Sequence, residues 1–185
     1  MRLAQEGAQI VVVDRENAKQ TLDLISAVSG IATAITCDVS EPASVAALKN
    51  AVEVNIGRCD ILMNNAGIYP AQRFDEITLR RLATRSLGQS RSRFLMTKAF
   101  AGRMRQRGRG RVINIASDTV SLLVPEFVHY ITSKAGVIGF TRSIATELGA
   151  EGVTANAIAR GSRGHRARSP ASRRAECPTM ISSHS

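Results

Sequence analysis

Short apolar runs alternate with stretches of helical periodicity along most of this chain. Five runs are β-branched or almost continuously apolar and predict strands, at residues 9–13, 31–36, 61–63, 111–116 and 153–158. Strands that are apolar on both faces, each followed by a helix, are typical of a parallel sheet with helices on both sides. We therefore predict the α/β class and a doubly wound parallel sheet.

The stretches between these runs have helical spacing. Residues 15–28 place Ala18, Leu22, Ile25 and Val28 on one face. Ser40 is a predicted N-cap, because Pro42 follows at a first-turn position. Further helical stretches cover the region from the 70s to about residue 107, as one helix or two, and residues 127–148.

The positive charge of the chain raises the question of nucleic-acid binding but does not change the predicted fold. The 185 residues carry a formal net charge of +10, and residues 102–111 form an arginine- and glycine-rich segment. Such a segment is compatible with RNA binding. However, it has no interleaved aromatic residues for base stacking and continues directly into an apolar strand, so a solvated basic helix end explains it better and we do not expect nucleic-acid binding.

Composition also bounds the location and the organisation of the chain. There is no apolar run of membrane-spanning length and no secretory signal pattern, so we expect a cytoplasmic protein without membrane contact. Cys37, Cys59 and Cys177 lack metal-ligand spacing and are predicted to be reduced thiols. Residues 1–161 form one predicted domain. Residues 162–185 are rich in arginine and serine and poor in apolar periodicity, so we expect this tail to be disordered.

Polar residues follow four of the predicted strands. Asp14, Asp38, the segment 64–67 (Asn-Asn-Ala-Gly) and Ser117 each stand where a strand ends. Ligands of open parallel sheets bind outside the carboxyl ends of the strands. Together these positions predict a crevice for an extended ligand.

Tyr130 and Lys134 lie four residues apart on a predicted helix and therefore share one face. An ammonium near a phenol favours the phenolate, which suits the phenol for acid–base chemistry. A pair with this spacing is common and usually inert, but Ser117 could hydrogen-bond the same reacting oxygen.

Several strings extend this pattern: RVINIAS at 111–117, the 13-residue step from Ser117 to Tyr130, YITSKAGVIGFTRSIATEL from Tyr130, and VTANAIARG at 153–161. Upstream stand CDVS at 37–40 and DILMNNAG at 60–67. In order and spacing these motifs resemble the short-chain dehydrogenase/reductase family over residues 2–161. The resemblance implies a Rossmann-like fold and hydride transfer between a nicotinamide cofactor and a small alcohol or carbonyl substrate.

The resemblance also implies roles for individual residues, with no metal. Tyr130 would be the acid–base group, Lys134 would tune it and hold the nicotinamide ribose, and Ser117 would orient the substrate oxygen. The cofactor would contact Tyr130, Lys134 and six residues at the strand ends: Asp14, Asp38, Val39, Asn65, Ala66 and Gly67. Asp14 favours NAD over NADP, because a carboxylate repels the extra phosphate, although the adjacent Arg15 could offset this. The tyrosine-bearing helix often packs between subunits in this family, which would allow a homo-oligomer.

The sequence departs from the family pattern in three places. The family's first strand and glycine-rich turn have no counterpart, which would leave two strand edges unpaired in the sheet. The usual asparagine on the long helix is replaced by Gln89, and Arg160 replaces the proline of the family's Asn-x-x-x-Pro-Gly. Arginine-rich runs at two places suggest a disturbed reading frame. The alternatives are therefore an active oxidoreductase and a catalytically inactive, partly folded remnant of one.

Overall fold

The computed structural model describes residues 2–67, 71–122, 124–161 and 179–183, and within this part of the chain six strands form one sheet. Their order across the sheet is β2-β1-β6-β3-β4-β5. The strands are β1 (Gln9–Asp14), β2 (Ala32–Thr36), β3 (Ile61–Asn64), β4 (Gly110–Ser117), β5 (Val153–Arg160) and β6 (Thr179–Ser183). β1 is parallel to β2, and β3, β4 and β5 are parallel to one another. The predicted α/β architecture is confirmed.

Helices connect the parallel strands. They are α1 (Arg2–Gln5), α2 (Lys19–Ser26), α3 (Pro42–Asn55), α4 (Leu79–Gln106) and α5 (Val128–Gly149), with 3₁₀ turns at Phe74–Glu76 and Asp118–Ser121. The region from the 70s to residue 107 therefore contains one long helix, α4, rather than two. None of these helices, within the described residues, has the length and apolar character to cross a bilayer.

The side chains of β1 alternate between two cores, which explains its continuous apolar run. Val11 and Val13 pack with residues of α3 and α4 in one core. Ile10 and Val12 pack with α1 and α2 in the other, where Ile25 is also buried. Both faces of this strand are therefore covered by helices, as a doubly wound sheet requires.

Two predicted helix starts are wrong. α2 begins at Lys19 rather than at residue 15, because the side chain of Asn17 accepts a hydrogen bond from the Lys19 amide at 2.8 Å and forms a turn there. α3 has Glu41 rather than Ser40 at its N-cap position. The Ser40 hydroxyl instead donates to Asp38 Oδ1 at 2.6 Å.

The C-terminal strand corrects two expectations. β6 lies between β1 and β3 and is antiparallel to both. Residues 179–183 are therefore ordered within the sheet rather than disordered, whereas the rest of the predicted tail lies outside the described residues. The expected unpaired edges of β1 and β3 are not observed either, because the backbone of β6 supplies hydrogen-bond partners to both strands.

Candidate active site

The five parallel strands present their carboxyl ends at one edge of the sheet. β6 runs the opposite way, so its first residue, Thr179, pairs with Val13 at that same edge. The predicted site residues therefore fall into two groups separated by one strand. Asp14 is the last residue of β1 and Asp38 follows β2, whereas Asn65 follows β3 and Ser117 is the last residue of β4.

The β1–β2 group is a half-buried acidic corner. The amide of Cys37 donates to the Asp14 carbonyl at 2.8 Å, which joins the ends of the two strands. Asp14 Oδ1 accepts from the Glu16 amide at 3.2 Å. Hydrogen bonds from Ser40 hold the pKa of Asp38 below its usual value, and the nearby charges of Arg15 and Arg91 lower it further. Val39 packs against the core beneath this corner.

Asn65, Ala66 and Gly67 are half-buried after β3, and Gln89 of α4 approaches their turn. A Cβ on Gly67 would lie 3.4 Å from Gln89 Oε1. Gln89, which stands where the family resemblance places an asparagine, is 7% exposed and borders the predicted cofactor turn.

Ser117 ends β4 and is 6% exposed. Its hydroxyl oxygen accepts from the Thr119 hydroxyl at 2.8 Å and from the Thr119 amide at 3.3 Å. These two bonds cap the 3₁₀ turn that begins at Asp118. They fix the position of the Ser117 oxygen at the end of the strand.

Tyr130 and Lys134 share one face of α5, as their spacing predicts. The Lys134 ammonium donates to the Ile115 carbonyl at 2.8 Å and lies 5.7 Å from the centroid of the Tyr130 ring. The ring of Phe127 meets the Tyr130 ring edge-on, with centroids 5.7 Å apart. Because α5 packs on β4 and on the turn that follows it, the phenol, the ammonium and Ser117 lie at the same corner of the sheet.

Asn64 and Asn114 form a buried polar link beneath this corner. Asn64 Nδ2 donates to Asn114 Oδ1 at 2.9 Å, and Asn114 Nδ2 donates to the Thr141 hydroxyl at 2.9 Å. Thr141 lies on α5, so the link joins β3, β4 and the tyrosine-bearing helix. Both asparagines therefore serve as hydrogen-bonding residues within the sheet and between the sheet and α5.

One charged residue near this corner escaped the sequence analysis. Arg93 of α4 is 2% exposed, and its charge interacts with Tyr130. Its spacing to Met96, Phe100 and Met104, all buried, places it on the apolar face of the helix. An arginine within an apolar helical stripe was the available signal.

This fold and this arrangement of residues define a Rossmann-class α/β protein with a serine, a tyrosine and a lysine at one corner of its sheet. A family model described as "short chain dehydrogenase" matches residues 1–171. The chain belongs to this family.

Relatives and solved structures agree with this assignment. D-threitol dehydrogenase of Mycolicibacterium smegmatis is 34% identical over 84% of this chain and 60% of its own length. The short-chain reductase protein NovJ of Streptomyces niveus is 38% identical over 86% of this chain and 62% of its own length. A metagenomic short-chain oxidoreductase solved in complex with NADP superposes with a TM-score of 0.77 at 30% identity, covering 87% of this chain and 74% of that one. The chain thus spans about three fifths of the length of these two curated relatives.

Proposed function

We propose that this chain is an oxidoreductase that transfers a hydride between NAD and a small alcohol or carbonyl substrate. The observation that carries the proposal is the anchored ammonium of Lys134. It is held by the Ile115 carbonyl, close to the Tyr130 ring, at the strand end that also carries Ser117. Family membership supports the reaction class.

In this proposal the protein handles the proton. Tyr130 accepts the proton of an alcohol during oxidation and returns it to the carbonyl oxygen during reduction. The neighbouring ammonium of Lys134 stabilises the phenolate form of that group. Ser117 donates a hydrogen bond to the reacting oxygen, which requires its hydroxyl proton to turn away from Asp118 Oδ1, to which it donates at 3.5 Å. Its oxygen can keep accepting from Thr119.

The residues at the strand ends suit an extended dinucleotide. Asp14 is half-buried and ends β1, where its carboxylate would accept hydrogen bonds from the hydroxyls of the adenosine ribose. Asp38 and Val39 would lie against the adenine, and Asn65, Ala66 and Gly67 would line the path towards Tyr130 and Lys134. The nicotinamide would supply or accept the hydride. We propose NAD over NADP because of Asp14, although Arg15 brings a positive charge to the same corner.

Turnover of the Tyr130→Phe variant tests this function. The purified chain is assayed with NAD and a panel of small alcohols, and in reverse with carbonyl compounds and reduced cofactor. If Tyr130 is the acid–base group, its conversion to phenylalanine abolishes turnover, whereas the folded state, followed by circular dichroism, stays unchanged. Turnover within a few-fold of the parent would exclude Tyr130 from this role.

A non-catalytic role is the second candidate. It is favoured by the Ser117 hydroxyl, which already donates to Asp118 Oδ1 and accepts from Thr119, and by Gln89 in place of the family's asparagine. NAD binding without turnover on any substrate of the panel would support this candidate.

A further inference from the structure

Three buried polar residues of α4 face the end of β3. Gln89, Arg93 and Thr97 are 7%, 2% and 5% exposed and are spaced four residues apart, so they lie on one face of the helix. Thr97 accepts a hydrogen bond from Asn64 Nδ2 at 3.5 Å, and the side chain of Gln89 lies against Gly67. This polar face of α4 therefore runs along residues 64–67, which end β3 and form the turn after it.

The carboxamide of Gln89 packs against Gly67. Apart from the neighbours of Gly67 in the chain, the three heavy atoms nearest to the position of its Cβ all belong to this carboxamide: Oε1 at 3.4 Å, Cδ at 3.6 Å and Nε2 at 3.7 Å. The whole group, rather than one atom of it, thus contacts the glycine. Because Gly67 is half-buried, a displaced Gln89 side chain would leave space next to the turn.

Arg93 holds Gln89 in this place. Its Nη1 donates to the Gln89 backbone carbonyl at 2.8 Å and to Gln89 Oε1 at 3.5 Å. Among the described residues, its Nε and Nη2 have no hydrogen-bond partner, so the hydrogen bonds of this guanidinium go to Gln89 alone. A buried cation with unpaired donors is costly, and apolar replacements of buried charges are often stabilising. The contribution of Arg93 is therefore to the position of Gln89 rather than to the stability of the fold.

We propose that Gln89 is a positioning residue for the dinucleotide: held by Arg93, it keeps the turn 65–67 in the conformation that would line the cofactor. The identity of this ligand rests on the proposed function. A turn that is held before its ligand arrives loses less conformational entropy on binding, so the Arg93–Gln89 contact raises affinity. It does so without touching the reacting oxygen, on which Ser117 and Tyr130 would act.

Substitutions at the two positions separate this contact from simple packing. Gln89→Ala removes the carboxamide from Gly67. Gln89→Met keeps the length of the side chain but accepts no hydrogen bond from Arg93, and Gln89→Glu keeps both the shape and the acceptor. Arg93→Met removes the donor. Arg91→Met, at an exposed arginine of the same helix, is the matched control.

Hydrogen exchange followed by mass spectrometry tests the turn without cofactor or substrate. Gln89→Ala, Gln89→Met and Arg93→Met should speed the exchange of the peptide covering residues 61–67 about threefold or more, the effect of losing one hydrogen bond. Gln89→Glu and Arg91→Met should match the parent. Gln89→Met combined with Arg93→Met should exchange no faster than Arg93→Met alone, because the side-chain contact is already lost. Exchange of the peptide covering residues 111–117 should stay unchanged in every variant.

Calorimetric titration with NAD tests the link to the cofactor. The dissociation constant of NAD should rise about threefold or more in Gln89→Met and in Arg93→Met, because the turn is no longer held before binding. In a chain that turns over, kcat should stay within about twofold of the parent, since the contact does not reach the reacting atoms.

Unchanged exchange of the 61–67 peptide in Gln89→Met and Arg93→Met would overturn the proposal, as would equally faster exchange of the 111–117 peptide. Faster exchange of the turn with unaltered NAD affinity would also overturn it. A parent chain that shows the predicted exchange pattern but binds no nicotinamide cofactor would retain the Arg93–Gln89 contact and reject the proposed function. Normal NAD binding and turnover with unchanged exchange would reject the contact and retain the function.

Discussion

Lys134 illustrates how a single buried side chain links a strand to the predicted acid–base group. Its ammonium is on a helix, its hydrogen-bond acceptor is the Ile115 carbonyl of β4, and the Tyr130 ring lies within 6 Å. The four-residue spacing of tyrosine and lysine was readable from the sequence, because residues i and i+4 share a helix face. The hydrogen bond from Lys134 to the Ile115 carbonyl could not be read from the sequence, since it depends on how α5 packs across the sheet.

Arg93 and Ser117 mark the limit of prediction at this scale. The helical spacing of Arg93 to Met96, Phe100 and Met104 places it on the apolar face of α4, but its burial depends on how that face packs. Similarly, the serine at the end of β4 was identified by position, but its bonds to Thr119 depend on the 3₁₀ turn that follows.

Asp14 carries the prediction on cofactor choice. Replacing it with alanine removes a charged hydrogen-bond acceptor, a loss of about 1.5–3 kcal/mol, so NAD affinity should fall at least roughly tenfold and discrimination against NADP should relax. Isothermal titration with each cofactor measures both effects. Asp23→Ala, which removes an exposed carboxylate on α2, serves as the control. A parent chain that already prefers NADP would contradict our interpretation of Asp14 and assign that corner to Arg15.

At the scale of elements, the strands and helices were predictable where the apolar run of a strand or the apolar stripe of a helix is long. β1, β4 and α5 were all located to within one residue at each end, because their apolar residues contact a core on the predicted faces. β6 was missed. Its five residues include only two apolar ones, Met180 and Ile181, and their pairing depends on backbone partners in β1 and β3 that are more than 100 residues away in sequence.

β6 should be essential for the stability of the sheet. Ile181→Pro removes an amide from a strand that pairs on both sides, so we expect a loss of about 3 kcal/mol or more. Chemical denaturation followed by circular dichroism measures this loss. Ile181→Val keeps the amide and the β-branched shape and should cost less than about 1.5 kcal/mol. Equal stability of the proline variant and the parent would show that β6 does not contribute to the folded state.

Gly152 fixes the turn before β5. It has a positive φ of 74°, and an added Cβ would overlap the carbonyl oxygen of Gly108 in the turn before β4. Gly152→Ala should therefore cost roughly 3 kcal/mol or more, since backbone strain and overlap add. Gly102→Ala is the matched control: Gly102 lies in α4 with open space around its Cβ position, so alanine should stabilise the helix by up to about 1 kcal/mol. Thermal unfolding of both variants compares them, and a neutral Gly152→Ala would contradict the described turn.

At the scale of the whole molecule, the sheet order brings both groups of predicted site residues to one edge with β6 between them. The family motifs predicted which residues stand at that edge, because each follows a strand. They did not predict that the strand between the two groups would be antiparallel and come from residues 179–183. In the proposed function, the path of a dinucleotide from Asp14 to Tyr130 would therefore cross the end at which β6 begins.

Thermal unfolding with and without NAD tests this account most directly. If the two groups of predicted site residues bind one dinucleotide, NAD at about 100 times its dissociation constant adds about 2.7 kcal/mol of stability. That corresponds to a rise in Tm of roughly 5–10 °C for a chain of this size. The same concentration of NAD should raise the Tm of Asp14→Ala less. A cooperative transition that neither NAD nor NADP moves would contradict the account, because the edge would then hold no nicotinamide cofactor.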